Sequence, residues 1–152
     1  METEFVSHVR KAAEEAFDSG LYCAESVVVS LAKAQGMEMD MLPRMATAFC
    51  SGMARTGGTC GALTGAMMGV SLALGRSQAG ESTEAAYAAT QRLIREFEHE
   101  FGARDCGDLL GCDLGTPEGQ ATFSRERLGR RCREYTRKAC AIAAQIVETS
   151  KP

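Results

Sequence analysis

At 152 residues, with 45% hydrophobic and 24% charged residues, the chain has the size of one domain, which buries about 70% of its unfolded surface without covalent staples. A formal net charge of -3 argues against general nucleic-acid binding. The longest apolar run, Cys60 to Leu74, is 15 residues, short of the roughly 20 that span a bilayer; seven cysteines, an odd number with no recognisable secretory leader, argue against a disulfide framework and for a cytoplasmic protein without membrane insertion.

Helical periodicity runs through almost every segment. In the first, Phe5, Val9, Ala12, Ala16 and Phe17 form an apolar stripe, with Thr3 as N-cap and Gly20 as terminator. The second begins at Cys23 and sets Cys23, Val27, Ser30, Leu31 and Ala34 on one face up to Gly36. Cys23 thereby falls in a first turn, where unpaired backbone N–H groups favour a thiolate. A third helix is predicted from near Pro43, carrying Ala46, Phe49, Cys50 and Met53 until Thr56-Gly57-Gly58-Thr59 breaks it.

The fourth helix, from about Thr59 to Leu74, is apolar almost all round and is the expected centre of the bundle. Gly57, Gly61, Gly65 and Gly69 recur at four-residue intervals. Each glycine inside a helix gives up roughly 1 kcal/mol of propensity relative to alanine, and the usual compensation is close approach of a backbone, side chain or cofactor. Gly75 to Glu81 reads as a loop, and a fifth helix spans Ser82 to Phe101 with Ala86, Thr90, Leu93, Ile94 and Phe97 inward. The stretch Cys106 to Cys112 is a glycine-bounded turn with two thiols. Thr116-Pro117 then opens a helical stretch that continues to about Glu148, with Cys132, Tyr135, Ala139, Ile142, Ala143 and Ile146 as its apolar stripe. The expectation is an all-α, single-domain bundle over residues 1–152, with five or six main helices around the glycine-rich one.

Cys23, Cys60, Cys106 and Cys132 sit on four different segments, each at or near a helix start or in a tight turn. Four thiols from four segments can meet at one point in a bundle, and such a set suits an iron-sulfur cluster or zinc. The absence of Cys-x-x-Cys pairs disfavours a zinc ribbon, and the alternative reading is four small core residues. Cys60 at its helix start is also the candidate nucleophile of a metal-free thiol oxidoreductase. Cys50 and Cys140 read as core filler, while Cys112 could be a resolving thiol, a spare ligand or an exposed cysteine.

Between Arg125 and Lys138 stand seven basic residues against two acidic ones. They form either a solvated helix face or a positive field around Cys132. His8 and His99 lack ligand spacing and read as surface residues. The methionines, Met37, Met39, Met41, Met45, Met53, Met67 and Met68 among them, suggest copper handling less readily than core filling. Gly57-Gly58 ahead of a helix could hold an anion, but no phosphate-loop lysine accompanies it.

The string Cys60-Gly61-Ala62-Leu63-Thr64-Gly65, with Cys23-Ala24-Glu25-Ser26-Val27 upstream and Cys106-x-x-Leu109-x-Gly111 and Cys132 downstream, resembles the C_GCAxxG_C_C family of redox-active proteins over nearly the whole chain. The resemblance implies a small helical protein with four characteristic cysteines, which map to Cys23, Cys60, Cys106 and Cys132. It also implies frequent association with transporters, and a thiol set similar to one that holds an iron-sulfur centre in related redox proteins. The chain departs from the pattern at Cys50, where a glycine is more typical, and adds Cys112 and Cys140. The leading expectation is a two-iron cluster on the four thiols for electron transfer or redox sensing, with Gly61 and Gly65 letting cofactor and neighbouring helices approach. The alternatives are the Cys60 oxidoreductase and a transporter-associated metal carrier. The redox partner is unspecified, and glycine stripes also suit a homodimer seam.

Overall fold

The computed structural model describes residues 1–150 and is all-α. Helix α1 (Glu4–Asp18) starts where Thr3 Oγ1 accepts a hydrogen bond from the Val6 N–H at 3.2 Å. Its buried stripe is Val6, Val9 and Ala13, turned slightly from the expected one, so that Phe5, Ala12, Ala16 and Phe17 are half-buried flanks. Helix α2 (Cys23–Ala34) is fixed at its start by the Tyr22 N–H donating to Glu25 Oε1 at 2.9 Å. It is buried nearly all round, through Ala24, Val27, Val28, Leu31 and Ala32.

Helix α4 (Gly61–Leu74) lies along α2. Glycine makes this approach possible, since a β-carbon on Gly65 would stand 2.6 Å from the Ala24 carbonyl oxygen. The glycine-rich helix is central, as its hydropathy suggests, with α2 packed along it. Helix α8 (Gly129–Thr149) closes one side and runs antiparallel to α1: Thr3 Oγ1 donates to Glu148 at one end, and Arg133 donates to Asp18 at 2.8 Å at the other. Helix α5 (Glu84–Phe101) buries Ala89, Leu93 and Phe97. Its Phe101 ring meets Tyr135 of α8 edge-on, with centroids 4.8 Å apart, and Phe97 lies tilted to Tyr135 at 6.2 Å.

Two segments depart from the expected helices. The third predicted helix is only α3 (Met41–Ala46) followed by a 3₁₀ turn (Thr47–Phe49). Beyond it the backbone reverses hand: Ser51, Gly52, Met53, Ala54 and Arg55 all have φ between 56° and 69°. This is a left-handed turn, which periodicity cannot register because its residues are ordinary helix formers. The long C-terminal stretch is likewise two helices, α7 (Pro117–Arg125) and α8, separated at Arg127 with φ 53°. That break puts Cys132 in the first turn of α8.

A short helix α6 (Cys106–Leu110) sits between α5 and α7. No helix among the described residues is long and apolar enough to cross a membrane. Among the described residues the extended pairing is an isolated Thr59–Asp105 bridge, and it matters for the site.

Candidate functional site: a thiol-lined cavity

Each of the four cysteines is delivered by a helix start. Cys23 is the first residue of α2, Cys60 the N-cap of α4, Cys106 the first residue of α6, and Cys132 lies in the opening turn of α8. Cys60 and Cys106 are tied together by the bridge: the Cys60 N–H donates to the Arg104 carbonyl at 2.8 Å, and the Cys106 N–H to the Gly58 carbonyl at 2.7 Å. This pairing is what the Thr56–Thr59 glycine loop is for. It turns the chain so that two segments more than forty residues apart present thiols to one cavity.

All four cysteines line one cavity of about 410 Å³. Its wall also includes Ser51, Gly52, Arg55, Gly61 and Tyr135, and contains no histidine and no carboxylate. Cys23 is central: the neighbouring backbone of Ser51, Ala24 and Ala62 partly offsets the upward push of burial on its thiol, and its charge raises the pKa of Cys60, Cys106 and Cys132 alike. Burial is the larger cause in each case. It pushes Cys23 up and Cys60 well up, and lifts Cys106 to about 11 and Cys132 to about 12.

The sulfurs share a cavity and not a point. Among the described residues, no three His, Cys, Asp or Glu side chains are grouped to hold a single metal ion. The expected convergence on one point is corrected accordingly to four thiols ringing a volume. A polynuclear group fits such a ring better than a mononuclear tetrahedral site, which needs all its ligands at about 2.3 Å from one centre.

Two glycines make room at the sulfurs. A β-carbon on Gly61 would lie 2.9 Å from Cys23 Sγ, and one on Gly52 would collide with Cys106 Cβ and stand 3.1 Å from its Sγ. Gly61 borders the cavity. Gly65 does not; it meets the backbone of α2 and serves packing. Gly57, with φ 76°, lies outside the helix, so the stripe proper is Gly61, Gly65 and Gly69.

The remaining cysteines lie outside the cavity wall, though Cys23 is near enough to raise the pKa of Cys50. Cys50 is buried in a second apolar cluster with Ala24, Val28 and Leu42, its thiol donating to the Ala46 carbonyl at 3.7 Å. Cys140 is wholly buried and donates to the Val9 carbonyl at 3.7 Å. Cys112 is half-buried at the edge of the main core, outside the cavity wall, yet close enough that its charge raises both Cys106 and Cys132.

The basic run is mostly paired rather than aimed at Cys132. Arg133 holds Asp18, Arg137 holds Glu14 at 3.0 Å, and Lys138 reaches Glu100 at 3.8 Å. His8 and His99 are exposed, as spacing indicates. Sequence reasoning did not reach Ser51 or Arg55 as site residues, because the left-handed turn that brings them to the cavity has no glycine pattern beyond Gly52.

The fold and site define a helical bundle that gathers thiols from four helix starts around one carboxylate-free cavity. The family described as "Putative redox-active protein (C_GCAxxG_C_C)" matches residues 21–146. The chain belongs to this family. No curated protein and no solved structure matches it.

Proposed function

We propose that Cys23, Cys60, Cys106 and Cys132 hold an iron-sulfur cluster, of the two-iron type, for electron transfer or redox sensing in the cytoplasm. The observation that carries this reading is the shared cavity: four thiols from four helix starts, with no histidine and no carboxylate in the wall. Thiolate is the ligand iron-sulfur clusters require, and such a cluster supplies one-electron exchange when bound.

The chain's own residues prepare that site in three ways. Burial keeps the thiols protonated until a cation is present, so cluster loading is coupled to proton release. The Ser51, Ala24 and Ala62 backbone beside Cys23 favours its thiolate, and amides placed so raise the potential of a sulfur-ligated centre. Gly61 and Gly52 leave the sulfurs uncovered.

The Cys60 oxidoreductase fits less well. An activated nucleophile has a depressed pKa, and burial pushes Cys60 in the opposite direction. A transporter-associated metal carrier shares the same ligands and differs in what they hold. Anaerobic purification with iron and sulfide analysis separates the readings. Both elements together, with a visible charge-transfer spectrum lost in single Cys→Ser variants at 23, 60, 106 or 132, are expected. A colourless protein lacking both after reconstitution overturns the proposal; zinc or copper without sulfide would point to the carrier.

A further inference from the structure

Four of the eight methionines fall within residues 37–45, and all four are exposed: Met37 38%, Met39 47%, Met41 58% and Met45 60%. The expectation that these four fill the core is therefore corrected. Met67 and Met68 are half-buried and behave as expected. A methionine left this exposed fills no core gap with its flexible side chain; what remains distinctive is its soft thioether sulfur.

Met37 and Met39 line one cavity of about 340 Å³, together with Lys33, Glu38 and Asp40. Carboxylates alternate with thioethers along Met37-Glu38-Met39-Asp40-Met41. The cation in the wall, Lys33, is paired with Glu38 at 3.6 Å. An apolar docking partner would have to bury Glu38 and Asp40, which is costly, whereas a cation is drawn to them. Thioethers select a soft cation, and the soft physiological one is Cu(I). We infer that Met37 and Met39 form a thioether site for a soft monovalent cation of the Cu(I) class. No cysteine lines this cavity, so the site is separate from the thiol cavity and independent of what that cavity holds.

The test uses the full chain carrying methyl-¹³C methionine, titrated anaerobically with Ag(I) as a redox-inert probe while a thiol-reactive dye follows occupation of the cysteines. After the thiols are taken up, the Met37 and Met39 methyl signals are expected to move together and saturate with a single further equivalent. Met1, an exposed thioether outside the cluster, serves as the control and stays in place. Repetition with Cu(I) shows the same pair moving. The double variant M37L/M39L keeps the apolar surface and removes only sulfur, and it is expected to lose the further equivalent with unchanged helical circular dichroism. Static Met37 and Met39 signals, movement no earlier than Met1, or an unchanged stoichiometry in the leucine variant would each overturn the assignment.

Discussion

The sulfur of Cys23 occupies space that any side chain at position 61 would need: a β-carbon on Gly61 would stand 2.9 Å from Cys23 Sγ, 3.1 Å from the Phe49 carbonyl oxygen and 3.2 Å from the Ala24 nitrogen. Two of those three neighbours are backbone and cannot swing aside, so the thiol must move. Gly61→Ala is expected to cost about 1–3 kcal/mol in thermal unfolding of the metal-free protein and to lower iron and sulfide on reconstitution. Gly107→Ala is the control. It changes a glycine beside Cys106 whose added β-carbon would approach Gly57 no closer than 3.8 Å, and it should leave both measurements near wild type.

Gly65 and Gly69 both let α2 lie against α4. A β-carbon on Gly65 would meet the Ala24 carbonyl oxygen at 2.6 Å and the Ala24 Cα at 3.0 Å, and one on Gly69 would meet Leu31 Cβ at 2.7 Å. A rotamer change at Leu31 leaves its Cβ in place, so at both positions the α2 backbone must retreat. Denaturant unfolding should show Gly65→Ala and Gly69→Ala each destabilised by about 1–3 kcal/mol. Wild-type stability in either variant would mean that α2 yields there at no cost.

The sequence makes the all-α class and the four ligand candidates legible for definite physical reasons. Helical stripes repeat in α1, α2, α5 and α8, and Cys23, Cys60 and Cys106 stand next to capping or turn residues that announce helix starts, while Cys132 stands out as a thiol on a helical stripe. The reversal of hand at Ser51–Arg55 is not legible, because Ser, Met, Ala and Arg carry no local preference for positive φ and the tertiary fold imposes it. The break at Arg127 is hidden for the same reason. The exposure of Met37, Met39, Met41 and Met45 also escapes, since a hydrophobic residue's periodicity says which side of a helix it shares and not whether anything covers that side.

Ala54 is exposed, with φ 59° and ψ 45°, in the left-handed turn. An L-residue there costs roughly 1–2 kcal/mol, a cost glycine avoids. Ala54→Gly is expected to stabilise the protein by up to about 1 kcal/mol, the larger entropy of the unfolded glycine offsetting part of the gain. Chemical denaturation measures it, and a loss of stability would show that the turn is not left-handed in solution.

Cys140 gives the alkaline behaviour a clear sign. Complete burial lifts its thiol to about 12, whereas the unfolded chain ionises the same group near its ordinary value of about 8.5. Above about pH 9 the unfolded state has released a proton that the folded state retains, so stability falls as pH rises. Cys140→Ala should flatten the decline of stability between pH 9 and 11 relative to wild type by up to about 1.4 kcal/mol per pH unit, while leaving iron content unchanged. Below pH 8 the variant's deficit should be constant and reflect lost packing alone.

Ser26 lies one turn beyond Cys23 on the buried side of α2, and its Oγ is buried with no hydrogen-bond partner. A hydroxyl in that state has given up water and received nothing in exchange, a penalty of about 1–3 kcal/mol. Alanine removes the hydroxyl, improves helix propensity and leaves a void smaller than a methyl group. Ser26→Ala is therefore expected to raise stability by about 1 kcal/mol without disturbing Cys23, since the backbone that favours its thiolate belongs to Ser51, Ala24 and Ala62 and Ser26 is not part of the cavity wall. Thermal unfolding of the metal-free protein measures the first effect, and iron and sulfide per chain after reconstitution measure the second. A destabilised variant that still loads iron normally would mean that Ser26 has a hydrogen-bond partner in solution. A stabilised variant that fails to load iron would instead assign the hydroxyl to the thiol site itself.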